Sequence, residues 1–580
     1  MLNIEVLKFG SSVLRTASDL PVAVDEIYRR WRSGHRVLAV VSAFEGVTDQ
    51  LIKDAAELFG SDCPEATAAY IATGEQRTAA LLTGMLGRSG IPVRLIEPRD
   101  ISLLAHGSVL ESTPFRFDGS ALEALWRTAP ILVLPGFYGI DAQGRVALFG
   151  RGGSDLSALF LAAQLHAGCR LLKDVNGVFD SDPCSNPDAN RFTELTWETA
   201  LEVAGPLIQP KALRYAHSRA LPFEVSRPNE QVGTRVGQAQ NEWAAIRAPA
   251  VPLQVVLLGC GVVGRGVYDR LQRYRDVFEV RHVVVSDLAR YPDIPERTAD
   301  YSRVLDDTID IVIECFGGVG LSYRLIAAAL RAGKYVVTAN KAVMAEYWAD
   351  LFTYAGAPEP RLWFSAAVGG ALPALETLER LAATNSSVRE IRGIVNGTCG
   401  VILDARGEGK TLHEAIALAQ AGGFAEADPA RDLSGRDSAD KLALMIEAAF
   451  GHWLPPNHIH TRGIDSIVGD AKGYKLIARA RRTPDGIVAS VAPESPSPDS
   501  FLGQARGAEN RIEIELTSGK VIELRGQGAG RWPTAAAVLA DLHEVARRPQ
   551  IAVSVAGEHA QQHLPQQSLP AIDHVDPWTV

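Results

Sequence analysis

Cysteine is scarce in this sequence: six residues in 580, none of them spaced as a CxxC pair. That excludes a zinc ribbon and a disulfide framework as the source of stability. Basic charge is also in short supply. Lys and Arg number 58 against 68 Asp and Glu, a net charge of −10, so no positive field draws the chain to nucleic acid or to an anionic membrane. No apolar run approaches the roughly 18 residues a membrane span needs. The first residues, MLNIEVLKFG, lack a basic segment followed by an apolar signal core. These absences predict a cytoplasmic protein without nucleic-acid or membrane partners, and no internal repeat suggests a solenoid. What is present is ordinary globular material, 47% hydrophobic and 22% charged. A chain of 580 residues exceeds the roughly 250–300 that one core can serve, and predicts three or four units.

Over residues 1–237 short apolar runs alternate with amphipathic stretches. LNIEVLKFG, RVLAVVSA (36–43), ILVLPGF (131–137) and RLLKDV (170–175) have the composition of strands buried on both faces. VAVDEIYRRWRSG (22–34) and ALFLAAQLHAG (158–168) supply helices between them. The rhythm predicts an α/β fold, a parallel sheet sandwiched by helices. Residues 238–252 carry no core pattern and are expected as a linker. LQVVLLG (253–259) then starts a second series, continued by VRHVVVSD (280–287), DIVIEC (310–315) and KYVVTAN (334–340), which predicts a Rossmann domain over 253–385. From 386 to 530, VREIRGIVNGT, IVASVAP and RIEIELTSGKVIELRG predict an antiparallel sheet with helices at 411–422 and 435–450, an α+β domain. Residues 531–548 form a closing helix with proline in its first turn. Residues 549–580, rich in Gln, His and Pro, are expected as a solvated tail.

The first strand ends in Lys8-Phe9-Gly10-Ser11-Ser12. Glycine lets the backbone turn tightly, so that the N–H groups and hydroxyls around Gly10 and Ser11 face an anion, and a nearby lysine can neutralise phosphoryl oxygens. An ordinary strand-end turn explains this segment equally well. Gly150-Arg151-Gly152-Gly153-Ser154-Asp155 says more. Helix capping accounts for Ser154 and Asp155. It does not account for Arg151 among glycines, where a guanidinium fork suits a carboxylate.

With Gly74-Glu75, VVSAFEGVTDQL (40–51) and DVNGVFDSDP (174–183), these segments resemble the aspartokinases of the amino acid kinase family. VGTRV (232–236) resembles their closing strand, and the resemblance spans about residues 1–237. It implies phosphorylation of the aspartate side-chain carboxylate by ATP with Mg. Lys8 would stabilise the transferring phosphoryl group, and Ser42, Glu75 and Arg151 would hold aspartate. Asp155 would orient the reactants, with Gly10, Ser11, Asp174 and Asp182 beside the nucleotide. Two departures stand out. The first loop is a residue shorter than K-F-G-G-T-S, closer to glutamate 5-kinase, and Pro206 replaces a nucleotide-side lysine for which Lys211 could substitute.

Gly259-Cys260-Gly261-Val262-Val263-Gly264 lies between a strand and a helix, where glycines admit a pyrophosphate to the helix N-terminus. Asp287 ends the second strand at the spacing of a ribose-binding carboxylate, while Arg290 could greet a 2′-phosphate, leaving NAD and NADP both open. Further on, Glu426, Asp428, Asp432, Asp437 and Lys441 crowd one short stretch, with Asp437 and Lys441 on one helix face.

TANKA, GGALPALETL, GIVNGTCGVIL, GGFAEADPARDLSGRDSADKL and GQGAGRWPTAAAVLADL resemble homoserine dehydrogenase, in family order over about 253–545. The resemblance implies reversible hydride transfer between NAD or NADP and aspartate 4-semialdehyde, with small-molecule substrates only, within threonine, methionine and lysine biosynthesis, by a homo-oligomer, dimer or tetramer. Lys441 would be the proton donor to the nascent alkoxide, and Lys341 would polarise the same oxygen or, with Asn340, order the cofactor. Glu426, Asp432 and Asp437 would hold the substrate amine and hydroxyl. Ser365 stands where relatives often carry a glutamate beside a monovalent cation, so that ion is in question here. The fusion known from this pairing carries ACT modules between its enzymes. About fifteen residues between VGTRV and the Rossmann strand leave no room for one. Two other readings stay open for the N-terminal half: a non-catalytic ligand-binding or dimerising module, or a kinase for another amino acid such as glutamate.

Overall fold

A computed structural model describes residues 3–548 apart from 61, 184, 187, 206, 231–232, 245–250, 357–359, 385 and 529. The replacement at Pro206, the middle of the expected linker and the tail therefore lie outside the described residues. The fold is α/β, with sheets of nine, six, six and four strands.

In the N-terminal half the strands Ile4–Phe9, Arg36–Val41, Ile131–Pro135 and Gly168–Leu172 form the parallel centre of the nine-stranded sheet. Their side chains alternate between the two faces, as strand geometry requires. Val6, Leu38, Val40, Leu132 and Leu171 pack under the helices Gly153–Leu165 and Pro210–Ser218. Leu7, Phe9, Val37, Ala39 and Val133 pack under Leu20–Arg32 and Pro64–Arg88. Continuous apolar runs were needed because both faces are covered. The expected linker contributes a strand of its own, Glu242–Trp243, which pairs antiparallel with Phe192–Thr196 at the sheet edge. A small four-stranded sheet of Leu104–Ser108, Glu111–Arg116, Tyr138–Ile140 and Val146–Leu148 sits beside the Gly150 turn.

The second half opens with six parallel strands. Numbered from Leu253–Leu258, they lie in the order 3-2-1-4-5-6, the order of dinucleotide-binding folds. The order reverses between Leu253–Leu258 and Ile311–Glu314, which opens a crevice at their carboxyl ends. The last six-stranded sheet is antiparallel except at His460–Thr461, and the helix Arg436–Phe450 packs against it.

The closing helix Arg531–Ala546 belongs to two cores. Ala535, Val538, Leu539 and Leu542 pack with Val255, Leu257 and Phe278 of the nucleotide-binding sheet. Ala536 and Ala540 pack with Ile27 and Trp31 of the N-terminal half. Polar contacts reinforce the seam: Asp25 pairs with Arg270 and accepts a hydrogen bond from Tyr274 Oη at 2.8 Å. No described helix is long and apolar enough to cross a membrane.

Two candidate active sites

In the N-terminal half Lys8 is the fifth residue of its strand, and Asp155 lies in the first turn of Gly153–Leu165. That helix points its N-terminus at the strand ends, and a carboxylate is favoured there by the helix dipole. Lys8 Nζ lies 2.6 Å from one oxygen of Asp155, and Lys173 Nζ lies 3.0 Å from the other. All three side chains are buried. Burial lowers the Lys8 ammonium to about 8, Asp155 opposing and Lys173 adding to the shift. Burial acts to raise the Asp155 carboxyl, but Lys173 and Lys8 together hold it below the usual range.

This triad opens onto a cavity of about 630 Å³ that is also lined by Ser11, Ser42, Glu75 and Arg151. Glu75 accepts the Ala43 N–H at 3.1 Å through one oxygen, while the other is buried without a partner. Burial pushes its carboxyl up to about 7, against the pull of Ala43 N–H and Lys8. Gly150 and Gly152, at φ 74° and 77°, set Arg151 on an exposed turn. A Cβ at either would run into Glu111 or Gln209, so the turn requires glycine. Gly10 lies beneath Lys8 Nζ. Asp174 is half-exposed near Arg15 Nη2, at 3.7 Å, and the Asp182 carbonyl accepts the N–H groups of Ser185 and Asn186. Neither carboxylate lines the cavity. Lys211 directs its ammonium to Glu111, Ser112 O and Phe149 O at 2.6–3.0 Å, which engages all three donors and braces the chain leading to Gly150.

In the second half Gly259 has φ 89°, and a Cβ at Gly264 would fall 2.0 Å from Gly259 O. A Cβ at Gly261 would meet nothing, so the space over the helix Val262–Leu271 is open. No side chain caps that helix, and the N–H groups of Val262 and Val263 stand at an uncapped terminus. This cradle fits a dinucleotide pyrophosphate. Asp287 is exposed and accepts the Ala289 N–H at 2.9 Å.

Across the crevice, Asp437 sits in the first turn of Arg436–Phe450 and joins Lys341 and Lys441, each at 2.9 Å. Burial works against its charge, yet Lys441 and Lys341 hold its carboxyl well below the carboxylate range. Asp437 in turn holds the Lys341 ammonium above its ordinary value. Lys441 also donates to Val395 O at 2.7 Å. Asn396 donates to both Asp432 and Asp437, at 2.6 and 2.8 Å. Burial, then the charge of Asp437, raises the Asp432 carboxyl. Asn340 caps the helix that begins at Lys341, and its amide reaches Gly318 O at 2.7 Å and buried Glu314 at 3.4 Å. Glu426 stays exposed, and its main-chain carbonyl accepts from Gln420 at 2.9 Å.

Lys173, Asn396 and Glu314 escaped the sequence reading. Lys173 directly follows the strand Gly168–Leu172 and Glu314 ends the strand Ile311–Glu314, both within quoted segments, and Asn396 lies inside GIVNGTCG. The signal available was position at a strand end, where α/β sheets gather ligands.

Comparison with known proteins agrees with this division. Residues 373–543 match the homoserine dehydrogenase family model, and 259–364 match its NAD-binding domain. Residues 3–222 match the amino acid kinase family. Homoserine dehydrogenase of Pseudomonas aeruginosa is 33% identical over 316 residues, covering 51% of this chain and 73% of that protein. The Corynebacterium glutamicum enzyme is 32% identical over 345 residues, 55% of this chain and 77% of that protein. A crystal structure of homoserine dehydrogenase from Thiobacillus denitrificans is 32% identical at a TM-score of 0.48, covering 51% of this chain and 74% of that one.

Proposed function

Because this chain belongs to the homoserine dehydrogenase family and carries an amino acid kinase family domain ahead of it, we propose a reaction for each half. Residues 253–548 interconvert aspartate 4-semialdehyde and homoserine with NAD or NADP. Residues 1–237 phosphorylate aspartate with ATP and Mg.

The dehydrogenase reading is carried by one buried carboxylate bridging two lysines. When bound, the nicotinamide exchanges the hydride at the carbonyl carbon. The chain's own residues manage the oxygen, where negative charge collects as the carbonyl is reduced. Lys441 passes a proton to that oxygen or takes it back. Lys341, at the mouth of the site, polarises the same atom or orders the cofactor with Asn340. Asp437 aims both ammonium groups and favours the charged form of Lys341, and Asn396 fixes Asp437. Glu426, Asp432 and Asp437 hold the substrate amine and hydroxyl. Gly259, Gly261, Val262, Val263 and Gly264 receive the pyrophosphate, and Asp287 the ribose.

For the kinase reading the supporting observation is charge. Lys8, Asp155 and Lys173 leave one net positive charge, and Arg151 adds another at the cavity rim. Such a site suits a phosphoryl group in transfer, where positioning and neutralisation do most of the catalytic work. The unpartnered oxygen of Glu75 fits a substrate ammonium, and Ser42 and Arg151 fit its carboxylate. Gly10, Ser11, Asp174 and Asp182 would border ATP and Mg. The engagement of Lys211 favours the second reading, a non-catalytic module, because it removes the replacement for the lysine absent at 206.

Both half-reactions are to be assayed on the purified full chain. Homoserine-dependent reduction of NAD and NADP tests the first. Trapping of acyl phosphate by hydroxylamine, across a wide range of ATP, tests the second with aspartate and glutamate in parallel. No trapped product at any ATP concentration would leave the module reading standing. Product from glutamate alone would mark a different kinase. We place the chain in the cytoplasm as a homo-oligomer, dimer or tetramer. Light scattering reads the state.

A further inference from the structure

Arg32 ends the first α-helix of the N-terminal half, yet its guanidinium makes its hydrogen bonds and ion pairs with groups of the other half, with Tyr28 of its own half beside it. Nη2 donates to Ser365 Oγ at 2.8 Å and to the Asp541 carboxylate, and Nε pairs with Glu376 at 2.8 Å. Asp541 also accepts the Ser365 N–H at 3.1 Å. Among the described residues, neither carboxylate is ion-paired with any cation of its own half. Asp541 is fully buried and Arg32 nearly so. A buried carboxylate pair without its counter-charge is strongly destabilising, so the dehydrogenase half depends on a cation from outside.

The groups Arg32 joins lie on either side of one turn. Ser365 opens the short helical turn after Leu362–Trp363, the edge strand of the nucleotide-binding sheet. Gly369 and Gly370 follow, at φ 79° and 57°. Glu376 is in the first turn of Ala374–Ala383, which packs directly on Arg436–Phe450. That last helix carries Asp437 and Lys441. Arg32 therefore ties the nucleotide-binding edge to the helix that supports the proton-handling lysine. A metal ion held by Ser365 does not fit this arrangement, because the hydroxyl already accepts from a guanidinium that is also paired with both neighbouring carboxylates.

We propose that Arg32 is a positioning residue for the dehydrogenase: the N-terminal half supplies, as a tethered guanidinium, the cation around which Ser365, Glu376 and Asp541 close. This rests on the dehydrogenase reading. It gives the kinase domain a task in the second reaction whether or not it transfers phosphate. It also makes the dehydrogenase indifferent to dissolved monovalent cations, since its own cation cannot dissociate.

The test uses the full chain at constant ionic strength, with choline chloride replaced stepwise by sodium, potassium or low, non-denaturing guanidinium chloride. Homoserine oxidation by the unaltered protein should not respond to these replacements. Arg32→Ala should lower kcat at least about tenfold, the scale of a small misplacement of catalytic groups. Added guanidinium or a monovalent cation should restore it several-fold. Arg32→Lys, which keeps the charge without the fork, should retain more of kcat. Arg32→Gln carries the same comparison if Arg32→Ala does not fold. A folded neutral variant with unchanged kcat would overturn the proposal. So would a loss that no cation relieves, or an unaltered enzyme that itself requires sodium or potassium. An unaltered chain with no homoserine oxidation would instead overturn the dehydrogenase reading beneath it.

Discussion

The two halves of this chain use the same device differently. Each sets an aspartate in the first turn of a helix, just after a glycine with positive φ, and clamps it between two lysines: Lys8–Asp155–Lys173 in one half, Lys341–Asp437–Lys441 in the other. In the N-terminal triad both ammonium groups are buried, and burial lowers Lys8 to about 8. In the second, the Lys341 side chain is 38% exposed and is held above its ordinary value by Asp437. The first is a concealed cation store that gains from the arrival of an anion. The second keeps one lysine at the mouth and one inside, which on the proposed reading would meet the substrate oxygen and manage its proton. On the proposed reading the same three residue types would serve charge neutralisation in one place and proton transfer in the other, and the difference lies in access to water.

The largest expected effect is at the proton-transfer end. Lys441→Ala should lower homoserine oxidation by about 10²–10⁴, the range for loss of a general acid or base. Aspartate-dependent acyl phosphate formation should be untouched. If the two rates fell together, the halves would not be chemically separate. Asp155→Asn tests the opposite pole. With both buried lysines left unneutralised and misaligned, phosphoryl transfer should drop about 10²–10³-fold, while homoserine oxidation stays level. Retention of kinase rate in that variant would make the first triad structural. Arg151→Ala should act mainly on binding, raising KM for the amino acid roughly 10–100-fold. That is the worth of a charge-assisted hydrogen-bonded fork of about 1.5–3 kcal/mol.

A pH profile sharpens the contrast with a smaller effect. Lys8 must be charged to neutralise phosphate, so kcat/KM of the kinase should fall as pH rises through about 8, roughly tenfold per unit beyond. Lys341 remains charged over that interval and imposes no matching limb on the dehydrogenase. Unfolding at Lys8 cannot mimic the loss. Its folded-state value lies below the ordinary 10.5, so between about 8 and 10.5 the unfolded chain binds more protons and this group's contribution to stability rises with pH. Smallest of all, threonine should change neither activity, because only residues 238–252 separate the halves. Sigmoidal inhibition would reveal an effector site elsewhere.

Much of this was legible in the chain itself. Period-two burial on both faces gave Ile4–Phe9 and Arg36–Val41 their apolar runs, and GCGVVG announced its turn by its place between strand and helix. Asp437 and Lys441 were legible as a pair because four residues make one helical turn. The sheet of Leu104–Ser108 and its partners was not, because its strands are short and carry Gly, Ser and Pro in place of apolar alternation. Nor was the clamp on Asp155. Lys173 looks like any strand-end lysine until a helix from 18 residues earlier brings the carboxylate to it. The contact between Arg32 and Asp541 spans 509 residues and leaves no local trace.

That span carries a consequence for how the protein is made. The apolar face formed by Ile27 and Trp31 is completed by Ala536 and Ala540, which belong to the last described helix. At about 5–20 residues per second, a ribosome takes roughly 25–100 s to travel from Arg32 to Asp541. Throughout that interval the nascent N-terminal half must carry an uncovered apolar strip and a guanidinium with no carboxylate to meet it. Emergence of the helix Arg531–Ala546, rather than completion of the first domain, becomes the event that seals the molecule. A stalled or truncated nascent chain should accordingly be recognised by chaperones through the helix Leu20–Arg32.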